Sequence, residues 1–137
     1  STKHLEDSYL DKFEKSVATY TKRKFGVAVG SGTDALYFSL RAKGIGAGNT
    51  VLCPAISYMA TAEAIKRTGA TIQFVDVDEN GLMGDIPMMG LPSAVVYVNL
   101  FGNLADYDRL KNYCYLVLAT GEWFSLTVRV KEIIFVV

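Results

Sequence analysis

The sequence has only two cysteines, no excess of either charge and no long apolar run, and each shortage removes a class of protein. Cys53 and Cys114 fit neither a metal-ligand spacing nor a disulfide framework, so both are expected as buried thiols in a reducing cytoplasm, and no metal site is expected. Fourteen basic residues balance fourteen acidic ones, which argues against nucleic acid or an anionic membrane as the main partner. No window approaches the roughly 20 apolar residues of a membrane-spanning helix. The opening STKHLEDSYLDKFEK is charged and lacks the apolar core of a signal peptide. Internal repeats and linker-like stretches are also missing. What remains is one domain of 137 residues, half of them apolar, large enough to bury a core.

The stretch that organises the rest is residues 25–61, FGVAVGSGTDALYFSLRAKGIGAGNTVLCPAISYMAT. An apolar run at 25–29 meets the small residues Gly30, Ser31, Gly32 and Thr33, and a helix-like segment at 34–43 follows at once. Strand, tight loop and helix in that order leave a helix N-terminus whose free N–H groups face the loop. Unpaired donors and the positive end of the helix dipole together attract phosphate. Gly30 and Gly32 keep side chains out of the way, and Ser31 and Thr33 can donate hydroxyls.

Along the chain, Leu5, Tyr9, Phe13 and Val17 recur every fourth residue and predict an amphipathic helix at about 3–20 that packs this face on the domain. Lys22, Arg23 and Lys24 read as a solvated turn. Gly44 stands where a C-terminal cap belongs. A buried strand is expected at 50–53, ending at Pro54, a helix at 58–68 stopped by Gly69, and a strand at 71–77. A turn at 78–81 opens an irregular excursion to Pro92. A strand at 94–98, a loop at 99–103, a helix at 105–113 and a strand at 115–118 complete the pattern. This rhythm predicts a three-layer α/β/α fold with a mostly parallel sheet, whose loops after the strands gather at one edge to bind ligand.

Residues 30–35 also match the dinucleotide pattern G-x-G-x-x-[GA]. That reading needs an acidic residue about twenty positions on, at the end of the next strand. No Asp or Glu occurs between Asp34 and Glu63, so a nicotinamide cofactor is set aside. Tyr58 opens a helix at the same sheet edge. It can lie flat on a planar heteroaromatic ligand, or close the helix end against the core, and its spacing favours neither.

Four blocks in order, GSGTDAL at 30–36, PAISYMAT at 54–61, GATIQFVDVD at 69–78 and VNLFGNLADY at 98–107, resemble the DegT/DnrJ/EryC1/StrS family over roughly residues 8–114. These are fold type I, pyridoxal-phosphate-dependent aminotransferases, which mostly aminate keto groups of nucleotide-linked sugars using an amino donor such as glutamate. The resemblance implies that Gly32, Thr33 and Asp34 hold the cofactor phosphate, mainly through backbone N–H groups and the Thr hydroxyl. It implies that Tyr58 stacks on the pyridine ring. Asn99 stands where the family often has His. Homodimers whose sites are completed by the partner subunit are the family's usual assembly.

The chain departs from the family further on. The family's Glu-Asp-Ala-Ala block carries the Asp that pairs with the pyridine nitrogen, and here Thr120 falls near that position. Glu122 is close in sequence but is not nominated. Lys131 is in no recognisable motif, so no residue of this chain is nominated as the cofactor's Lys or as catalytic. The expected organisation is a partial large domain: an N-terminal helix in 1–24, a family-like core at 25–114 and a divergent tail at 115–137. The tail, with Val128, Val130 and an apolar 133–137, reads as β-prone without an obvious partner, a hazard for association. A truncated or frame-shifted gene product is expected ahead of a divergent short protein, and the chain alone is not expected to transaminate. The alternative is an inactive phosphate- or cofactor-binding or self-associating module.

Overall fold

A computed structural model describes residues 2–87, 90–110, 112, 117–121, 127–130 and 133–136. The described elements run α1 (Thr2–Tyr20), β1 (Phe25–Ala28), α2 (Gly32–Ala42), β2 (Thr50–Pro54), α3 (Met59–Arg67), β3 (Thr71–Val75), β4 (Ala94–Asn99), α4 (Tyr107–Leu110), β5 (Val117–Gly121), β6 (Thr127–Val130) and β7 (Ile133–Val136). The seven strands form one sheet in the order β1-β7-β6-β5-β4-β2-β3. All are parallel except β6, which is antiparallel to both its neighbours.

Topology sets the layers. The crossovers from β1 to β2 and from β2 to β3 move in one direction along the sheet, so α2 and α3 share a face. There Ala35, Leu36, Leu40, Ala64 and Ile65 pack on Val51, Cys53 and Val96. The next connection reverses direction and takes the chain to the other face, where Met83, Ile86 and Leu110 pack on Leu52, Val75, Val95 and Tyr97. Alternate residues of β2 and β4 serve opposite cores, which is why both strands read as unbroken apolar runs.

Local sequence fixes the ends of these elements. Gly44 takes φ +76°, its N–H donates to Arg41 O and that of Ile45 donates to Leu40 O, both at 3.0 Å. This double bond pattern satisfies the last carbonyls of α2 and seals the end with the apolar pair Leu40 and Ile45, both buried. The expected irregular excursion is a closed lobe. Asp78 Oδ1 accepts the amides of Asn80 (2.9 Å) and Leu82 (3.0 Å), and Val77 bridges Met83. From α4, Arg109 donates to the carbonyls of Met83 (2.6 Å) and Gly84 (3.1 Å), tying the lobe to the helix.

Three expectations are corrected. The period of α1 is as read, but its phase differs: Tyr9 is 71% exposed and Phe13 43%, while Ala18 is buried. The contact row includes Glu14, whose Oε1 accepts the Ala28 N–H at 2.9 Å and covers the free edge of β1. Gly26 permits this approach, since a Cβ there would lie 2.4 Å from the Glu14 carbonyl oxygen. Second, the tail is not an unpartnered strand. β6 and β7 form a hairpin between β5 and β1, with Phe25 opposite Ile133 and Thr127 opposite Val136, so the apolar tail fills the middle of the sheet. Third, residues 105 and 106 of the helix expected at 105–113 precede its start at Tyr107, and the strand expected to end at 118 extends to Gly121. Cys114, Glu122 and Lys131 lie outside the described residues.

Candidate functional site

Because β1, β2, β4 and β5 are parallel, the residues that follow them share the carboxyl edge of the sheet. From β2 the chain continues outward to β3, and from β4 it turns back to β5, so the ends of β2 and β4 flank a topological switch point, the usual ligand crevice of open α/β sheets. Tyr58 follows β2 and Asn99 ends β4. Asn99 and the following turn hold a shaped rim. Asn99 Oδ1 accepts the Ala105 N–H at 2.9 Å, which leaves its NH2 group as a donor. Phe101 adopts left-handed backbone (φ 54°, ψ 27°) and remains 75% exposed, while its neighbour Leu100 is buried.

Tyr58 caps the start of α3 with extended backbone (φ −64°, ψ 141°) and is 72% exposed. Its ring therefore does not close the helix end against the core. The start of α3 is held instead by the bond between the Ser57 and Thr61 hydroxyls at 2.8 Å and by the Thr61 N–H donating to Tyr58 O at 3.0 Å.

The loop expected to hold phosphate is the N-terminal turn of α2. Ser31 is the N-cap of α2, and its Oγ accepts the Asp34 N–H at 3.1 Å. The Ala35 N–H donates to Ser31 O at 2.9 Å. Among the described residues nothing accepts from the amides of Gly32 or Thr33. The free backbone donors are thus those of Gly32 and Thr33, and the Asp34 amide, expected among them, belongs to Ser31. Ser31-Gly32-Thr33-Asp34 is an S-x-x-D cap, a signal present in the sequence that explains this assignment. The Asp34 carboxylate lies against Gly30, whose Cβ would be 3.7 Å from Oδ2, and its Oδ1 is 3.3 Å from Arg67 Nη1. The Arg67 guanidinium also stacks on Tyr37 at 4.3 Å. Periodicity gave no hint of Arg67, because the pairing joins two helices that meet only in the folded chain.

The loop after β1 and the loop after β2 were expected at neighbouring strand ends. They share an edge but do not follow adjacent strands, since four strands lie between β1 and β2. The crossover helix α2 bridges that gap, packing on β5, β6 and β7 and against α3. In the register of β5 on β4, Thr120 pairs with Val98, so it stands near the carboxyl end of β5 beside Asn99. Cys53 is buried and its thiol is pushed up to about 12 by desolvation, which keeps it neutral and removes it as a nucleophile. Among the described residues, no group of three or more His, Cys, Asp or Glu could hold a metal, and no helix is long and apolar enough to cross a membrane.

The model of the DegT/DnrJ/EryC1/StrS aminotransferase family matches residues 2–116. The chain belongs to this family. This DegT/DnrJ/EryC1/StrS chain is 38% identical over 120 residues to the spore coat polysaccharide biosynthesis protein SpsC of Bacillus subtilis, covering 80% of this chain and 31% of that protein. It is 34% identical over 116 residues to a dTDP-3-amino-3,4,6-trideoxy-alpha-D-glucose transaminase of Streptomyces venezuelae, covering 81% and 31% respectively. Among solved structures it superposes on DesV of S. venezuelae, determined with a ketimine intermediate (TM-score 0.68, 34% identity, 76% of this chain and 29% of that one). It superposes equally on Spr1654 of Streptococcus pneumoniae in its PMP form (TM-score 0.68, 30% identity, 76% and 28%). The chain therefore spans about a third of the length of the curated relatives it matches. The family match ends at residue 116, so the hairpin of β6 and β7 lies beyond it.

The donor set at α2 suits the phosphate of pyridoxal phosphate, the cofactor of this family. Two free amides, the Thr33 hydroxyl and the Ser31 O–H stand at the positive end of an 11-residue helix, and the Asp34 carboxylate beside them is paired with Arg67.

Proposed function

We propose that this chain is the N-terminal part of the cofactor-binding domain of an aminotransferase that acts on a keto group of a nucleotide-linked sugar, with glutamate or a similar amino donor. The observation that carries the reading is the family match over residues 2–116 on a fold whose carboxyl edge holds both the α2 N-terminus and Tyr58. In this reading Gly32 and Thr33 bind the phosphate through their amides and the Thr33 hydroxyl. Asp34 shapes the same loop through its cap and its carboxylate, and Tyr58 lies on the pyridine ring. The residues from 25 to 114 form the family-like core, preceded by the helical segment in 1–24 and followed by the divergent tail at 115–137. When bound, pyridoxal phosphate supplies the electron sink for amino-group transfer.

Within these 137 residues we assign neither the Lys that carries the cofactor nor the carboxylate that faces its ring nitrogen, since Thr120 stands near the latter position. Alone, the chain orients and retains the cofactor but does not transfer an amino group. A cytoplasmic homodimer is the assembly that the family suggests.

The test is a titration of the 137-residue chain with pyridoxal 5′-phosphate, read by Tyr and Trp fluorescence, beside an amination assay with glutamate and a nucleotide keto-sugar. Saturable binding, weakened several-fold by Thr33→Ala and by Tyr58→Ala, without product formation is expected. Binding that ignores both substitutions removes the site, and measurable amination by the pure chain removes the claim that it is inactive alone.

A further inference from the structure

The S-x-x-D cap of α2 is only half made. In a complete capping box the third helical residue reaches back with its carboxylate to the N-cap backbone N–H, which places a negative charge beside the first free amides. Here Ser31 completes its half by accepting the Asp34 N–H at 3.1 Å. The Asp34 carboxylate does not return to the Ser31 amide. Its Oδ1 is turned to Arg67 at 3.3 Å, at the last residue of the neighbouring helix. Arg67 is itself placed by stacking on Tyr37, one turn into α2, with its guanidinium 4.3 Å from the ring centre. A carboxylate at a helix N-terminus is stabilised by the same dipole that attracts phosphate, so the two compete for one place.

We propose that Arg67 is a positioning residue for phosphate binding: by holding the Asp34 carboxylate toward α3, it keeps the amides of Gly32 and Thr33 open to an ester phosphate. The inference rests on the phosphate reading of the α2 N-terminus given above. Its content is the role of Arg67, which acts through Asp34 without touching the ligand. With Arg67 removed, the carboxylate is free to turn to the Ser31 N–H, beside the amides of Gly32 and Thr33, where its charge repels the incoming dianion. Two negative charges on the phosphate and one on the carboxylate at van der Waals separation in a solvated site are worth about a tenfold change in affinity.

The experiment uses the 137-residue chain and titrates it with pyridoxine 5′-phosphate, which has no aldehyde to react with surface lysines, and with pyridoxine as the control that lacks phosphate. Arg67→Gln is expected to weaken pyridoxine 5′-phosphate binding about tenfold and to leave the response to pyridoxine unchanged. Arg67→Lys, which keeps the charge, is expected to restore most of the affinity. Arg67→Gln added to Asp34→Asn is expected to cost no affinity beyond that of Asp34→Asn alone. Thermal melts of the four variants confirm that each is folded. An equal loss on Arg67→Gln in the Asp and Asn backgrounds overturns the proposal, because Arg67 then contacts the phosphate directly. Parent-like binding by Arg67→Gln overturns it as well, leaving the phosphate site intact. No saturable, phosphate-dependent binding by the parent chain overturns the proposal together with the reading beneath it.

Discussion

Gly26→Ala tests how the leading helix is docked, and through it how the strand that leads into α2 is held. A methyl group at residue 26 would lie 2.4 Å from the Glu14 carbonyl oxygen, 3.2 Å from its carbon and 3.4 Å from its Cα. All three atoms are backbone, so no side-chain rotation relieves the overlap. Carbon contacts settle near 3.5–4.0 Å, and α1 must therefore withdraw by about 1 Å or more. The withdrawal costs about 1–3 kcal/mol as overpacking. It also breaks the 2.9 Å bond from the Ala28 N–H to Glu14 Oε1, worth about 1 kcal/mol at a half-buried site. The sum, about 2–4 kcal/mol, corresponds to a fall in Tm of roughly 8–15 °C for a chain of this size. Glu14→Ala separates the two parts: it removes only the hydrogen bond and is expected to lower Tm by about 3–4 °C. Tyr9→Ala, at a side chain 71% exposed, is expected to leave Tm nearly unchanged. Thermal unfolding followed by far-UV circular dichroism measures all three. A Gly26→Ala chain that melts with the parent, or a Tyr9→Ala chain that melts far below it, would refute the docking of α1 through Glu14 and restore the face of Leu5, Tyr9, Phe13 and Val17 as the packed one.

Lys22 ends α1 in left-handed backbone (φ 54°), with its N–H donating to Thr19 O and that of Arg23 donating to Ala18 O. Lys22→Gly removes the Cβ strain and is expected to stabilise the chain by about 0.5–1 kcal/mol, read as a higher denaturant midpoint. Burial pushes the Cys53 thiol up to about 12 in the fold against 9.0 for a free thiol, so its contribution is whole below about 9 and is lost as pH rises toward 12. Stability is expected to fall across that window by about 1.4 kcal/mol per pH unit more in the parent than in Cys53→Ala, and equal slopes by urea denaturation would exclude it. Removing residues 127–137 deletes the strands that join β1 to the rest of the sheet. Hydrogen exchange is expected to show loss of protection at Gly26, Val27 and Ala28 with protection retained in β2 and β3, and unchanged β1 amides would show that the hairpin does not hold it.

The parts of this fold that were legible in the sequence are those decided by neighbours in the chain. The run from 25 to 61 carries its own punctuation: small residues before α2, Gly44 after it and Gly69 after α3, with apolar strands between. Each of these is a local requirement, a cap or a positive φ, and the structure places elements within a few residues of the expected ones. The phase of α1 was not legible, because Tyr9 and Phe13 are apolar whether or not this chain covers them, and the decisive residue is a glycine in the next strand. The tail was misread for a related reason. Its β propensity was plain, but an apolar strand is a hazard only until a partner is known, and the partner of Ile133 is Phe25, over a hundred residues earlier. Long-range pairing of that kind leaves no periodicity to count.

The same division runs through the candidate site. Thr33 and Tyr58 could be nominated because a helix start and a loop after a strand are local facts, and the fold puts both at the carboxyl edge. Their separation by four strands could not, since strand order is a property of the whole sheet. Nor could the state of Asp34, which sequence alone lists with the phosphate donors. Its amide is taken by Ser31 three residues earlier, and its carboxylate is taken by Arg67, thirty-three residues later. A helix N-terminus that carries an acid is an anion site only if something else occupies that acid. In this chain the occupant comes from the next helix, so the chemistry of the loop is set by how α2 and α3 pack together as much as by the four residues of the motif.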